Sequence, residues 1–127
     1  MYVMKVSELS DESLDKWVAK AEGWELENYA WWKIDRGPKG GTLCYAQHRQ
    51  SDWKPSTDWL QGGRIIEREK INIIHDYAEW AAEKNAAFYG LDLASAKILL
   101  GPTPLIAAMR AYVTKVFGDE VPEDVNG

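Results

Sequence analysis

Gly101-Pro102-Thr103-Pro104-Leu105-Ile106-Ala107-Ala108-Met109-Arg110-Ala111-Tyr112-Val113-Thr114-Lys115-Val116-Phe117-Gly118 is the stretch that decides the fold class. Thr103 has the side chain of an N-cap, whose oxygen can take one of the unpaired N–H groups of a first helical turn. Pro104 follows at the first helical position, where its fixed φ suits a helix and its missing N–H costs nothing. Leu105, Ile106, Met109, Tyr112, Val113 and Val116 then share one apolar face. Gly118 ends the run, because glycine takes the left-handed conformation that helix ends favour. A C-terminal helix is predicted.

The same logic predicts a helix over Asp11 to Glu22. Ser10 is its N-cap, Asp11 and Glu12 suit the positive end of its dipole, and Gly23 stops it. Between these helices the period changes. Trp24 to Ile34 is aromatic-rich and reads as a strand, Asp35 to Gly41 as a turn, and Thr42 to His48 as the second strand of an antiparallel hairpin. Arg49 to Gly63 is polar and turn-rich, with Pro55 and Gly62-Gly63 as punctuation. Arg64 to Ile74 sets Ile66, Ile71 and Ile73 among charges and reads as one or two strands, broken near Lys70. Asp76 to Ala87 is rich in helix formers and reads as a helix, Ala94 to Leu100 reads as a strand or the end of an insertion, and Asp119 to Gly127 as an acidic tail that frays at its end. No repeat or linker interrupts the chain. The prediction is a single α+β domain over 1–127, a small, mostly antiparallel sheet flanked by an N-terminal and a C-terminal helix.

Composition narrows the function. The 127 residues carry 15 Lys and Arg against 20 Asp and Glu, a net charge of −5. That balance argues against direct nucleic-acid binding, which needs a basic patch. One cysteine, Cys44, permits no internal disulfide and fits a reducing compartment. No signal peptide or bilayer-spanning run is predicted, so the expectation is the cytoplasm of a cell. The unusual number is seven tryptophans, which either fill the core or line a pocket for a planar ligand.

Catalytic and metal patterns are weak. His48 and His75 stand in no metal-ligand spacing. Ser56, His75 and Asp58 make a triad only on paper, without a nucleophile elbow. Glu67 and Glu69 read as a solvated face. Gly37 to Gly41 lacks the order of a phosphate loop. No cofactor, no metal and no catalysis are expected. The strongest constellation is Trp53-Lys54-Pro55-Ser56-Thr57-Asp58-Trp59-Leu60-Gln61-Gly62-Gly63-Arg64. It offers stacking faces, hydroxyls, a carboxylate, close backbone approach and cations within twelve residues, as a polar planar ligand requires. It also reads as a structural loop with Ser56 capping a short helical turn and Trp59 in the core. At Thr103, the helix N-terminus is either an anion site or already satisfied by its own hydroxyl.

Three stretches together resemble the small NinX proteins of lambdoid phages and prophages. They are Met4-Lys5-Val6-Ser7-Glu8-Leu9 running on to Ala19-Lys20-Ala21-Glu22-Gly23; Pro55 to Gly63 with Ile65-Ile66-Glu67-Arg68-Glu69; and Gly101 to Arg110 followed by Gly118-Asp119-Glu120-Val121. Arg64 departs from the proline expected there, and Tyr77 to Leu100 is longer than the usual connection. The resemblance implies a phage accessory protein acting inside a bacterium. By analogy with small phage proteins that counter host defence, it suggests a sponge for a cyclic nucleotide or ADP-ribose signal. Trp53 or Trp59 would stack on the base, and Ser56, Thr57 and Asp58 would bond ribose or base edges. Gly62, Gly63 and Thr103 would take phosphate, and Arg64 would supply charge. A homo-oligomer is compatible with such a pocket. The alternatives are a protein-binding inhibitor of a host defence enzyme and a nucleotide-processing enzyme.

Overall fold

The computed structural model describes residues 2–35, 42–74, 85–89 and 97–123. In chain order the elements are β1 (Val3–Lys5), α1 (Asp11–Ala21), β2 (Trp24–Glu27), β3 (Ala30–Asp35), β4 (Thr42–Arg49), α2 (Trp59–Glu69), β5 (Asn72–Ile74), β6 (Asn85–Tyr89), β7 (Lys97–Gly101), α3 (Pro104–Phe117) and β8 (Glu120–Pro122). Single 3-10 turns lie at Val6–Glu8 and Gln50–Asp52. The α+β class is as expected, with the strands divided among three small antiparallel sheets: β1-β8, β2-β3-β4 and β5-β6-β7.

The core is built on α3. Its residues from Leu105 to Thr114 are all buried, because the helix is covered by β6 and β7, by α1 and by α2. The Thr103 hydroxyl accepts the Ile106 N–H at 3.1 Å, so the expected cap is in place. Arg110, buried within this helix, donates to the carbonyls of Leu9 at 2.9 Å and Leu100 at 2.8 Å. Its guanidinium thus ties the entry to α1 and the end of β7 to the same helix.

Strands β2 and β3 turn on Asn28 and Tyr29, both with positive φ of 51° and 61°. Two such residues give the mirror-image turn whose twist matches a hairpin. The expected single strand over 24–34 is therefore two strands, and β3 pairs on with β4.

Two expectations need correction. Arg64 to Glu69 is helical, because α2 runs from Trp59 through Gly62-Gly63, and only Asn72–Ile74 is strand. Lys70 ends that helix in the left-handed conformation, at φ 54°. The helix expected over Asp76 to Ala87 falls mostly on residues 75–84, outside those described, but 85–87 belong to β6. Within the acidic tail, Glu120–Pro122 pairs with β1, and Glu123 N–H donates to the Tyr2 carbonyl at 3.0 Å; the end expected to fray, 124–127, lies outside the described residues. Among the described residues no helix is long and apolar enough to cross a membrane.

Candidate functional site

The segment from Trp53 to Gly63 is fixed by three sets of hydrogen bonds. The Lys54 carbonyl accepts the N–H groups of Thr57 at 3.1 Å and Asp58 at 2.8 Å, which closes a turn over Pro55 and Ser56. Asp58 then caps α2, its Oδ1 accepting the Leu60 N–H at 2.9 Å. Gln61, one turn into the helix, reaches back: it accepts the Lys54 N–H at 2.6 Å and donates to the Asp52 carbonyl at 2.8 Å.

The third set comes from α1. Asp15 is a buried acid whose backbone carbonyl accepts Trp53 Nε1–H at 2.9 Å. Its carboxylate accepts the Ser56 N–H at 2.8 Å. Burial raises the Asp15 pKa above its ordinary value; the Ser56 contacts oppose the shift, and the charges of Asp11 and Glu12 add to it.

Trp53 in turn holds an aromatic group. Its ring centroid lies 4.7 Å from that of Trp24 and 4.8 Å from that of His48, with Trp24 and His48 5.8 Å apart. The Trp24 contact is edge-on at 64°, a favoured aromatic geometry. These rings border a cleft of about 290 Å³ between α2 and the β2-β3-β4 sheet. Gln47 and Glu22 stand on one wall, and Leu60, Gln61 and Arg64 on the other. The cleft combines flat apolar faces with an amide, a carboxylate and an exposed guanidinium.

Of the expected site residues, Trp53 and Arg64 line this cleft. Ser56 faces inward, 1% exposed, beside Asp15. Thr57 is exposed in the turn, and Asp58 is occupied as the cap. Trp59 is 55% exposed and Leu60 65%. Gly62 is buried, because a Cβ there would strike the Pro55 carbonyl and come within 2.6 Å of Leu105 Cδ1. Gly63 has ordinary space around it. At the α3 N-terminus the Thr103 hydroxyl holds Ile106 N–H, Ala107 N–H bonds to the Thr103 carbonyl, and Pro104 has no N–H. The Thr103 hydroxyl is therefore engaged as the cap, as the satisfied reading of this helix start expects. The paper triad is not assembled: His75 lies outside the described residues, while Ser56 and Asp58 are engaged elsewhere. Among the described residues no cluster of three His, Cys, Asp or Glu side chains could hold a metal ion.

The family model described as Bacteriophage P22, NinX matches residues 5–115, which includes every wall of this cleft. The chain belongs to the NinX family. No curated protein matches it. In this NinX-family phage protein the matched stretch also contains cleft and supporting residues outside the expected site: Asp15, Trp24, Gln47 and His48. Aromatic type was the signal for Trp24 and His48, since both sit in strands of the predicted hairpin. Nothing local marks Asp15, whose partners lie 38 and 41 residues away.

Proposed function

We propose that this NinX-family protein is a non-catalytic binding protein that holds a nucleotide-like ligand in the cleft between α2 and the β2-β3-β4 sheet. The observation that carries the reading is the Trp24–His48–Trp53 ring group at the edge of a cleft that also presents Arg64. A base stacks on the exposed parts of Trp24 and His48, as planar rings stack on aromatic faces in nucleotide sites. Gln47 meets a base edge, and Arg64 pairs with a phosphate by parallel hydrogen bonds. Trp53, Asp15 and Gln61 are the supports that keep these walls in place. A phage protein that holds such a ligand without turning it over acts as a sponge for a host nucleotide signal, and slow release is then the property that matters.

The test is a screen of cyclic dinucleotides and cyclic ADP-ribose isomers by thermal shift and tryptophan fluorescence. A ligand at 100 times its Kd adds about 2.7 kcal/mol of stability. Arg64→Ala should fold normally and lose most of the shift. Recovery of intact ligand after denaturation supports sequestration, and recovery of altered ligand supports an enzyme. Absence of a shift with every nucleotide removes the reading.

A second reading rests on a separate observation. Trp59 and Leu60 stand side by side in solvent at the start of α2, and tryptophan is a frequent anchor of protein interfaces. This favours a protein-binding inhibitor of a host enzyme. Trp59→Ala, a change outside the cleft lining, should then abolish the host-directed effect while leaving any nucleotide shift unchanged.

A further inference from the structure

A second cleft opens beside Trp53. It measures about 370 Å³ and lies between α1 and the Gln50–Asp52 turn. Asp15, Trp31 and Trp53, only 7%, 2% and 5% exposed, are among its lining residues, and Gln50 and Ser51 belong to its wall. Glu12 lines it too, one turn before Asp15 on the same face of α1. Lys16 and Lys54 complete the lining. Glu12 and Lys16 carry opposite charges four residues apart on the helix, and Glu12 and Lys54 are exposed. Of the four charged residues in the lining, Asp15 is the buried one.

That carboxylate sits in an environment that disfavours it. Burial, with Asp11 and Glu12 adding to it, raises the cost of ionisation, and the Ser56 contacts, among them its N–H at 2.8 Å, offset that cost only in part. An arriving cation would reverse that cost, since an opposite charge at short range favours the ionised form. The neighbouring indoles suit the same ligand, because their faces attract cations, and more strongly where water is excluded.

We infer that this second cleft binds a small organic cation, an ammonium or guanidinium group seated between the Asp15 carboxylate and the indoles of Trp31 and Trp53. Gln50 and Ser51 offer it further oxygen acceptors. The inference goes beyond the nucleotide reading: it concerns another cleft and the opposite ligand charge, and only Trp53 belongs to both linings.

Such a group can come from a free amine or from an arginine side chain of a partner protein. The experiment titrates the whole protein with agmatine and, separately, with the blocked peptide acetyl-Gly-Arg-Gly-amide, following tryptophan fluorescence. Butylurea, an uncharged analogue, is the control. Saturable quenching by agmatine identifies a free amine as sufficient; quenching by the peptide alone identifies a protein side chain. Asp15→Asn, which keeps an oxygen for the Ser56 N–H, should weaken binding by about tenfold or more. Ser51→Arg, an exposed change on the cleft wall, should block it and leaves the proposal testable if Asp15→Asn folds poorly. Arg64→Ala should leave it unchanged. No saturable quenching by either cation, equal quenching by butylurea, or unaltered affinity in either cleft variant overturns the inference.

Discussion

Asp15 shows how one side chain can serve structure at an energetic cost. Its carbonyl fixes the Trp53 indole and its carboxylate fixes the Ser56 backbone, so α1 grips the loop at two points three residues apart. The cost is a buried negative charge. In the unfolded chain an aspartate titrates near 3.8, and in the fold Asp15 titrates higher, chiefly because of burial. The folded state therefore binds this proton more tightly, and stability from this residue falls as pH rises from 3.8 through the raised value. Glu69 has the opposite sign: Arg68 and Lys115 hold it below its ordinary 4.5, so its contribution is present above that pH and is lost as pH falls through the folded value. Asp15→Asn isolates the first effect. In urea unfolding followed from acid to neutral pH, the variant's stability relative to wild type should rise with pH; a difference that declines would rule out the buried-charge account. Nothing in the sequence distinguishes this aspartate from its solvated neighbours Asp11 and Glu12. Its character comes from residues far along the chain.

At the scale of elements, legibility follows locality. The Thr103-Pro104 start and the Gly23 and Gly118 stops are written within a few residues, and α1 and α3 lie where those signals put them. Helix α2 is different, because Gly62-Gly63 reads as a break and is helix interior. Gly62 is there for close approach to Pro55 and Leu105, which only the fold brings together. Gly63 has no such neighbour; the nearest side-chain atom to an added Cβ is Trp59 Cε3 at 3.8 Å. The two glycines should therefore respond with opposite signs. Gly62→Ala is expected to destabilise the protein by about 1–3 kcal/mol through overpacking. Gly63→Ala should stabilise it by up to about 1 kcal/mol through helix propensity. Denaturant midpoints of the two variants, measured side by side, check this; a shift in the same direction for both would contradict it. The functional reading of the sequence had the same boundary. The segment and its aromatic character were visible, while the partition of its residues into supports, caps and cleft walls required the strands and α1.

Across the whole molecule, three helices meet at one polar clasp. Glu22, just past α1, accepts from Arg68 of α2 at 3.0 and 2.6 Å and from the Tyr112 hydroxyl of α3 at 2.6 Å. Burial and the Glu22 carboxylate push the Tyr112 phenol well above its ordinary pKa. Arg68 extends the clasp to Glu69, which Lys115 of α3 also contacts at 3.0 Å. Arg68 is half exposed, so solvent screens its share. Tyr112→Phe is expected to cost about 1 kcal/mol, a typical hydrogen-bond loss. Arg68→Ala should cost less in thermal unfolding, and a larger loss for Arg68→Ala would move the weight of the clasp to its ionic part. Because Glu22 also borders the cleft between α2 and the β2-β3-β4 sheet, the clasp couples helix packing to a wall of that cleft.

The indole of Trp53 has one further consequence. It is a partition shared by two chambers, and any displacement of it by an occupant of one reshapes the other. Thermodynamic reciprocity then applies: if filling the first chamber changes the affinity of the second by some factor, filling the second changes the first by that same factor. The indole is pinned at the Asp15 carbonyl, so such a change passes between the chambers only as far as that hydrogen bond lets the ring shift.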